Sequence, residues 1–391
     1  MSRLTGLFGL STPASLDSYL RSSRVRVVIN ALHAKSGGGI TYLQNMIPLL
    51  AQDERLELHI FLHRDQLSIF HPIDERIIVH AFNFPLGLVR LMVWEQLILP
   101  IMANIMSADV IFSPANFGSI LVRRQVILLR NALAVAKTET RWIKRLYWIA
   151  LGIITFVSLL RVKRAIAVSR YAAKSLSLGF ARILSDKIRI IHHGISKNFS
   201  ADETVERQNF ILAVSDIYVQ KNLHMLFHAM KTVLNKHPNM TLMIAGEKID
   251  NWYYEYINSL IIDLGISDNI KFIGKLSAND LLNHYRTCLM FVFPSTAETF
   301  GNPLVEAMAC GAPIACSNST AMPEVVGDAA LLFNPMDDAD IASAILALIE
   351  DADMRSNLSR KGLERARQFS WATTTEKTVE CLLEACHRKP E

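Results

Sequence analysis

The sequence predicts an α/β protein of two doubly wound domains, and three observations carry that expectation. Short apolar runs rich in β-branched and aromatic residues alternate with stretches of helical periodicity along nearly all of the chain after residue 24, the pattern of parallel sheets with helices on both faces. The alternation breaks at the polar segment Ser196 to Gln208 (SKNFSADETVERQ), which reads as a domain linker. The charge balance changes sign at the same place: residues 1–199 hold 25 Lys and Arg against 11 Asp and Glu, a formal +14, whereas residues 200–391 hold 16 against 25, a formal −9. A chain of 391 residues that is 51% hydrophobic has enough core for both domains.

Residues 1–23 begin MSRLTGLFGLS, too short in the apolar part for a signal peptide, and read as an appended, membrane-touching extension. The first domain, 24–200, opens with the strand Arg24 to Asn30. It runs through a glycine-rich turn containing Gly38 and Gly39 into a helix from about Ile40 to Ala51, with Leu43, Met46, Ile47 and Leu50 on one face. Glycines there let backbone approach a ligand closely, although three glycines suit a plain flexible turn equally well. Further strands are expected at Leu56 to Leu62, Ile77 to Phe82, Val110 to Ser113 and Val126 to Leu129, with a helical stretch from about Leu91 to Ile105. Ligands of such sheets gather at strand C-terminal ends, which puts Ala115, Asn116, Arg130 and Asn131 beside the site.

The uncharged run Leu146 to Leu160, bracketed by Lys144, Arg145, Arg161, Lys163 and Arg164, is short for a bilayer span, which needs about twenty residues. A buried core helix, an interfacial membrane helix and a true span all remain open readings. The strand Ala165 to Val168 precedes a helix that Ser169 can cap. Lys187 to Ile191 leads into His192, His193 and Gly194, where a histidine is more often a packing residue than a catalyst.

The second domain, 209–370, opens with the strand Phe210 to Val214. The turn Ser215 to Asn222, containing Asp216 and Lys221, then leads to a helix with Leu223, Leu226, Phe227, Met230, Val233 and Leu234 on one face. The strand Thr241 to Ala245 ends at Gly246-Glu247, and Ile270 to Ile273 ends at Gly274-Lys275. The run Leu289 to Phe293 stops at Pro294-Ser295, and a loop enters a helix in which Asn302 suits the N-cap, Pro303 the first helical position and Gly311 with Pro313 the end. Pro313 to Cys316 is strand-like again. The free amides between Thr299 and Pro303 thus sit at a helix N-terminus, where unpaired donors and the dipole favour an anion. Glu298 precedes them, and Glu306 stands in the apolar run LVEAMACGAP, where an acid needs ribose hydroxyls or backbone amides as partners. The last helix, Trp371 to His387 within a segment 371–391, is expected to cross back onto the first domain.

Glu298, Phe300, Gly301, Pro303, Glu306, Ala307, Met308, Gly311 and Pro313 resemble the E-x7-E signature of family-4 retaining glycosyltransferases with the GT-B fold, of the bacterial surface-polysaccharide type that includes mannosyltransferase-like members. The resemblance runs from residue 24 nearly to the end, most strongly over 209–370. It implies two Rossmann-like domains facing across a cleft, the first for the acceptor and the second for the nucleotide sugar. By the same resemblance Glu298 faces the donor sugar, Glu306 the ribose, and Lys221 the diphosphate; Gly38 and Gly39 touch the phosphates from the other domain, and Phe300, Gly301, Asn302 and Pro303 complete the donor site. The nucleotide base would rest near Gly246 and Leu276. Two positions depart from the family pattern. Asp216 stands where an Arg is usual, and Arg130-Asn131 where His-Asp is usual, which makes Arg130 a candidate for the missing cation.

Cys288, Cys310, Cys316, Cys381 and Cys386 are odd in number and lack a Cys-x-x-Cys pair, which argues for a reducing compartment and against a metal site. The basic first half points to an anionic membrane surface or phosphorylated lipid, and no zinc-finger, RNA-binding or basic-zipper pattern supports nucleic acid. The combined expectation is a metal-independent, retaining hexosyltransferase that needs no cofactor beyond its UDP- or GDP-sugar donor. It would act on a saccharide acceptor, lipid-linked, in lipopolysaccharide or O-antigen synthesis, in the cytoplasm and peripheral at the inner membrane. An epimerase on the same fold and a noncatalytic sugar-binding subunit are the alternatives.

Overall fold

The computed structural model describes residues 24–34, 38–85, 87–130, 142–202 and 204–386. The expected extension at 1–23, Asn131 and the end of the last helix at His387 lie outside them. Two parallel sheets form the scaffold. The first has seven strands, β1 (Val25–Asn30), β2 (Leu56–His63), β3 (Ile77–Phe82), β4 (Val110–Ser113), β5 (Gln125–Leu129), β6 (Arg164–Ala167) and β7 (Ile188–Ile190), in the order β3-β2-β1-β4-β5-β6-β7. The second has β8 (Gln208–Val214), β9 (Thr241–Ala245), β10 (Ile270–Gly274), β11 (Cys288–Phe293), β12 (Ile314–Ser317) and β13 (Leu331–Phe333), in the order β10-β9-β8-β11-β12-β13. Both orders reverse direction next to their first strand, and such a reversal opens a crevice beyond the strand C-termini. The runs are apolar because both faces of a parallel sheet are covered by helices, and every residue of β4 and of β5 is buried.

In the first domain, α1 (Gly38–Leu50) buries Leu43, Met46, Ile47 and Leu50, the face expected from their spacing. The helix expected at Leu91 to Ile105 is instead three pieces: α2 (Leu88–Val93), a π-helical turn at Trp94–Ile98, and α3 (Leu99–Ile105). The wide turn coincides with the burial of Glu95 inside the domain, where a regular helix carrying a charged residue would turn it to solvent. The helix α4 (Trp142–Arg161) buries Leu151, Thr155, Ser158 and Leu159 and turns an apolar stripe outward: Trp142, Leu146, Ile149, Ile153, Val157 and Leu160 are all exposed. No helix among the described residues is long and apolar enough to cross a membrane. The helix α5 (Arg170–Leu176) starts under the cap of Ser169.

In the second domain follow α6 (Leu223–Lys236), α7 (Asn251–Leu264), α8 (Ala278–Thr287), α9 (Asn302–Ala309), α10 (Met322–Val326), α11 (Asp338–Glu350) and α12 (Ala352–Ala366). The final helix, α13 (Trp371–Cys386), packs on the first sheet: Trp371 meets the ring of Tyr42 on α1, and Glu384 pairs with Arg164 at 2.5 Å and Arg189 at 3.3 Å. All five cysteines are free and buried.

Candidate functional site

A cleft of about 1060 Å³ opens where the two sheets present their strand C-termini. Small-molecule sites run from roughly 300 to 1,000 Å³, so it holds a large ligand. Its centre is the loop from Pro294 to Gly301, between β11 and α9. Gly301 has φ 91°, a left-handed turn that a side chain would strain, and it redirects the chain into α9. The loop is fixed from below. Thr296 N donates to Gln220 O at 2.9 Å, Glu298 N donates to Thr320 Oγ1 at 3.0 Å, and Asn222 Nδ2 donates to Pro294 O at 3.1 Å and Pro335 O at 2.7 Å.

These ties bring Lys221 against Glu298, with Nζ donating to Oε1 at 2.7 Å and both side chains mostly buried. Burial works against the ammonium charge, but Glu298 and Tyr218 outweigh it and hold Lys221 well above the ordinary lysine range. The Nζ also lies over the rings of Tyr218 and Phe293, 5.3 and 5.4 Å from their centres. Two turns of chain further on, Glu306 lines the same cleft and accepts from Tyr285 Oη at 3.1 Å. Burial raises its pKa to about 7, with the tyrosine bond pulling the other way.

The first domain supplies the opposite wall with Gly38, Thr41, Arg130 and His193. Contacts across the seam run through the loop: Ser169 Oγ donates to Thr299 O at 2.6 Å, and Thr299 Oγ1 donates to Arg130 O. His193 Nδ1 donates to Asn302 Oδ1 at 3.0 Å, and its ring stacks on Trp371 at 5.7 Å. Burial depresses the His193 pKa to about 4, so the ring is neutral at pH 7. Asn302 therefore does not cap α9 as expected. Gly301, which has no side chain to cap with, occupies the cap position, and the Asn302 side-chain oxygen is engaged by His193 across the seam.

Glu298, Lys221, Gly38, Phe300, Gly301, Asn302, Pro303 and Glu306 all line this one cleft. Gly39 is buried behind it, beneath the guanidinium of Arg130. Phe300 is also buried, its ring packed on His193 at 5.0 Å and Phe369 at 5.6 Å. Gly246, Lys275 and Leu276 line the end where a base was expected. Asp216 lines the cleft as well, its Oδ1 accepting from Glu247 N at 3.0 Å.

Sequence reasoning did not single out Trp252, Tyr285 or the buried group around Glu95. Trp252 lines the cleft although 62% exposed, and a large aromatic just after the Asp250 cap of α7 was the available signal. Glu95 accepts from His33 Nε2 at 3.1 Å, from Ser113 Oγ at 3.3 Å and from Asn30 Nδ2, at the C-terminal ends of β1 and β4. Among the described residues no group of three or more His, Cys, Asp or Glu is placed to hold a metal ion.

Residues 195–365 match the family described as glycosyl transferases group 1. The chain is similar to the serotype-specific mannosyltransferase WbdA of Escherichia coli, with 31% identity over 233 residues, covering 56% of this chain and 28% of that protein. It is also similar to the O-antigen chain mannosyltransferase B of Escherichia coli, with 33% identity over 174 residues, covering 44% of this chain and 45% of that protein. It thus spans less than half the length of either relative. The crystal structure of Anabaena HepE in complex with UDP and glucose superposes with a TM-score of 0.73 at 19% identity, over 91% of this chain and 99% of that one. WaaG, a glycosyltransferase involved in lipopolysaccharide biosynthesis, superposes with a TM-score of 0.70 at 13% identity, over 90% and 98%. The fold is GT-B, two Rossmann-like domains with parallel sheets.

Proposed function

We propose that the chain is a retaining glycosyltransferase that moves a hexosyl unit from a nucleotide diphosphate sugar to a saccharide acceptor in cell-surface polysaccharide synthesis. The observation that carries this reading is the Lys221–Glu298 pair held at the mouth of α9 in a cleft that also contains Glu306, the E-x7-E acids facing one site. Group 1 homology over 195–365 and the mannosyltransferase relatives support a mannosyl or related donor.

In this reading the ribose hydroxyls donate to Glu306, the base lies towards Gly246, Leu276 and Trp252, and the sugar hydroxyls donate to Glu298. Glu298 is ion-paired to Lys221 and orients the sugar rather than attacking it. The acceptor oxygen bonds to the anomeric carbon on the face the phosphate leaves. The leaving phosphate oxygen departs with the bonding electron pair and takes the acceptor proton, so configuration is retained without a carboxylate nucleophile or a metal. Lys221 and the amides of Thr299 to Asn302 stabilise the charge that grows on the phosphate.

The acceptor is lipid-linked, and the enzyme meets it at a membrane surface through the outward stripe of α4. Phe180 extends that stripe, its ring 5.7 Å from Phe156 on α4, and Leu178 and Ile183 beside it are exposed. Arg161 and Lys163 border it at the helix end. An apolar face rimmed by cations suits an anionic bilayer surface.

The test is incubation of the purified chain with a panel of radiolabelled UDP- and GDP-sugars and a bacterial membrane extract. Transfer of label to lipid-extractable material, with release of nucleoside diphosphate, is the expected result. Label transfer to free soluble sugars at the same rate would refute the lipid-linked acceptor, and no turnover of any donor would refute the enzyme.

A further inference from the structure

The charges along the cleft do not add up to a diphosphate site without one more cation. Lys221 is already neutralised by Glu298 at 2.7 Å, and Lys275 by Glu247 at 2.9 Å. Beyond those two pairs Asp216, and Glu306 when ionised, add negative charge to the same walls. A nucleoside diphosphate brings at least two further negative charges into this space. Among the described cations lining the cleft, Arg130 is the one with no carboxylate partner.

Its position is fixed from both sides. The Arg130 amide donates to Asn116 Oδ1 at 2.8 Å, and its carbonyl accepts from Thr299 Oγ1 of the other domain, one residue from Glu298. The guanidinium meets Gly39 end-on, so close that a methyl group there would collide with its two terminal nitrogens. Its Nε is buried with no acceptor. A buried guanidinium donor left unmatched costs stability unless a ligand supplies the acceptor. Phosphate oxygens match the planar fork of an Arg, and the place is beside the sugar-facing acid rather than at the base end near Gly246.

Resting on the proposed function, we infer that Arg130 reaches across from the first domain to grip the sugar-side phosphate of the donor, taking the role left open by Asp216. The cation set around the diphosphate is then shared between domains, with Lys221 on one wall and Arg130 on the other. Donor affinity consequently depends on the two domains standing face to face, and Gly39 is required because any side chain would displace the guanidinium.

Calorimetric titration of the wild type, Arg130→Gln, Arg130→Lys and Gly39→Ala with uridine, UMP and UDP, and with guanosine, GMP and GDP, tests this. In the wild type the preferred diphosphate is expected to bind more tightly than its monophosphate by on the order of 10- to 100-fold, the range of a charge-assisted bond. Arg130→Gln and Gly39→Ala lose that increment while nucleoside affinity and thermal midpoint stay near wild type, and Arg130→Lys recovers part of it. An increment that survives in Arg130→Gln overturns the inference alone. Equal loss of nucleoside and diphosphate binding, with a lowered midpoint, overturns it too, since Arg130 would then only brace the fold. A wild type that binds no nucleotide at all sinks the proposed function first, and this inference with it.

Discussion

The two walls of the cleft are built by opposite means. On the second-domain wall Lys221 and Glu298 satisfy each other and the loop beneath them is tied to Gln220, Asn222 and Thr320. On the first-domain wall, Arg130 Nε and His193 Nε2 are buried without partners. A wall whose ionised groups are already paired, even with Asn222 Oδ1 and Ser295 Oγ left unpartnered in the loop beneath, is electrostatically preorganised before any ligand arrives. A wall with orphaned donors and acceptors is finished by the ligand, so its residues show their worth only in the complex.

The largest test breaks the paired wall. Lys221→Ala leaves Glu298 mostly buried without its counter-ion and is expected to lower stability by about 2 kcal/mol, less than for a fully buried pair because both groups keep some solvent. Glu298→Gln should reduce turnover by on the order of 10²- to 10³-fold, while nucleoside diphosphate affinity does not fall because Lys221 is released from its pair. The double variant Lys221→Met/Glu298→Gln should regain stability in a urea titration yet remain inactive. Activity in the double variant would show that the pair serves folding alone.

The next effect sharpens the contrast on the outer surface of the first domain. Replacing Leu146 and Ile153 by Glu puts two charges into the exposed stripe of α4 without touching the buried Leu151, Thr155 and Leu159. Each buried aliphatic side chain is worth about 1.5–3 kcal/mol of apolar transfer, so the double change should weaken cosedimentation with anionic phosphatidylglycerol vesicles by on the order of 10²- to 10⁴-fold. Turnover of donor in solution should be unchanged. Undiminished vesicle binding would remove α4 from the acceptor's approach.

Which wall the sequence could announce follows from the same difference. The second-domain side of the cleft is one contiguous strand, loop and helix, so local rules were enough to find β11, Gly301 and α9 and to bring Glu298 and Glu306 to one cleft. Every run expected to be a strand became one within one or two residues, but β13, a three-residue strand at the sheet edge, carries too little pattern to be seen. Asn302 was misread as a cap because its partner, His193, lies 109 residues away. Glu95 was invisible for a related reason. Within LMVWEQLILP it looks like a charge turned to solvent, and only the π-turn and the distant Asn30, His33 and Ser113 explain its burial. The stripe of α4 was readable as apolar, but not which face pointed out.

The smallest effect concerns Glu306 and is a matter of sign. With its pKa raised to about 7 by burial, the free carboxyl is half protonated near neutrality. In the proposed donor complex the ribose hydroxyls donate to the carboxylate and favour its charged form, so that binding releases a proton. Affinity for nucleoside diphosphate should rise about tenfold between pH 6 and 8 and level off above, and Glu306→Gln should flatten that profile. Stability is the wrong readout for this group. A carboxyl that holds its proton in the fold above its ordinary value of 4.5 makes stability fall as pH climbs from 4.5 to 7. His193 and His80, both depressed to about 4 chiefly by burial, make stability fall as pH drops from 6.5 to 4, so they pull the opposite way over much of the same window. Those two histidines are neutral throughout pH 6 to 8, and the terminal phosphate of the ligand, which titrates at about 6, is common to wild type and Glu306→Gln, so the difference between their profiles isolates Glu306. A pH-independent affinity in the wild type would mean that the ribose hydroxyls do not reach this acid.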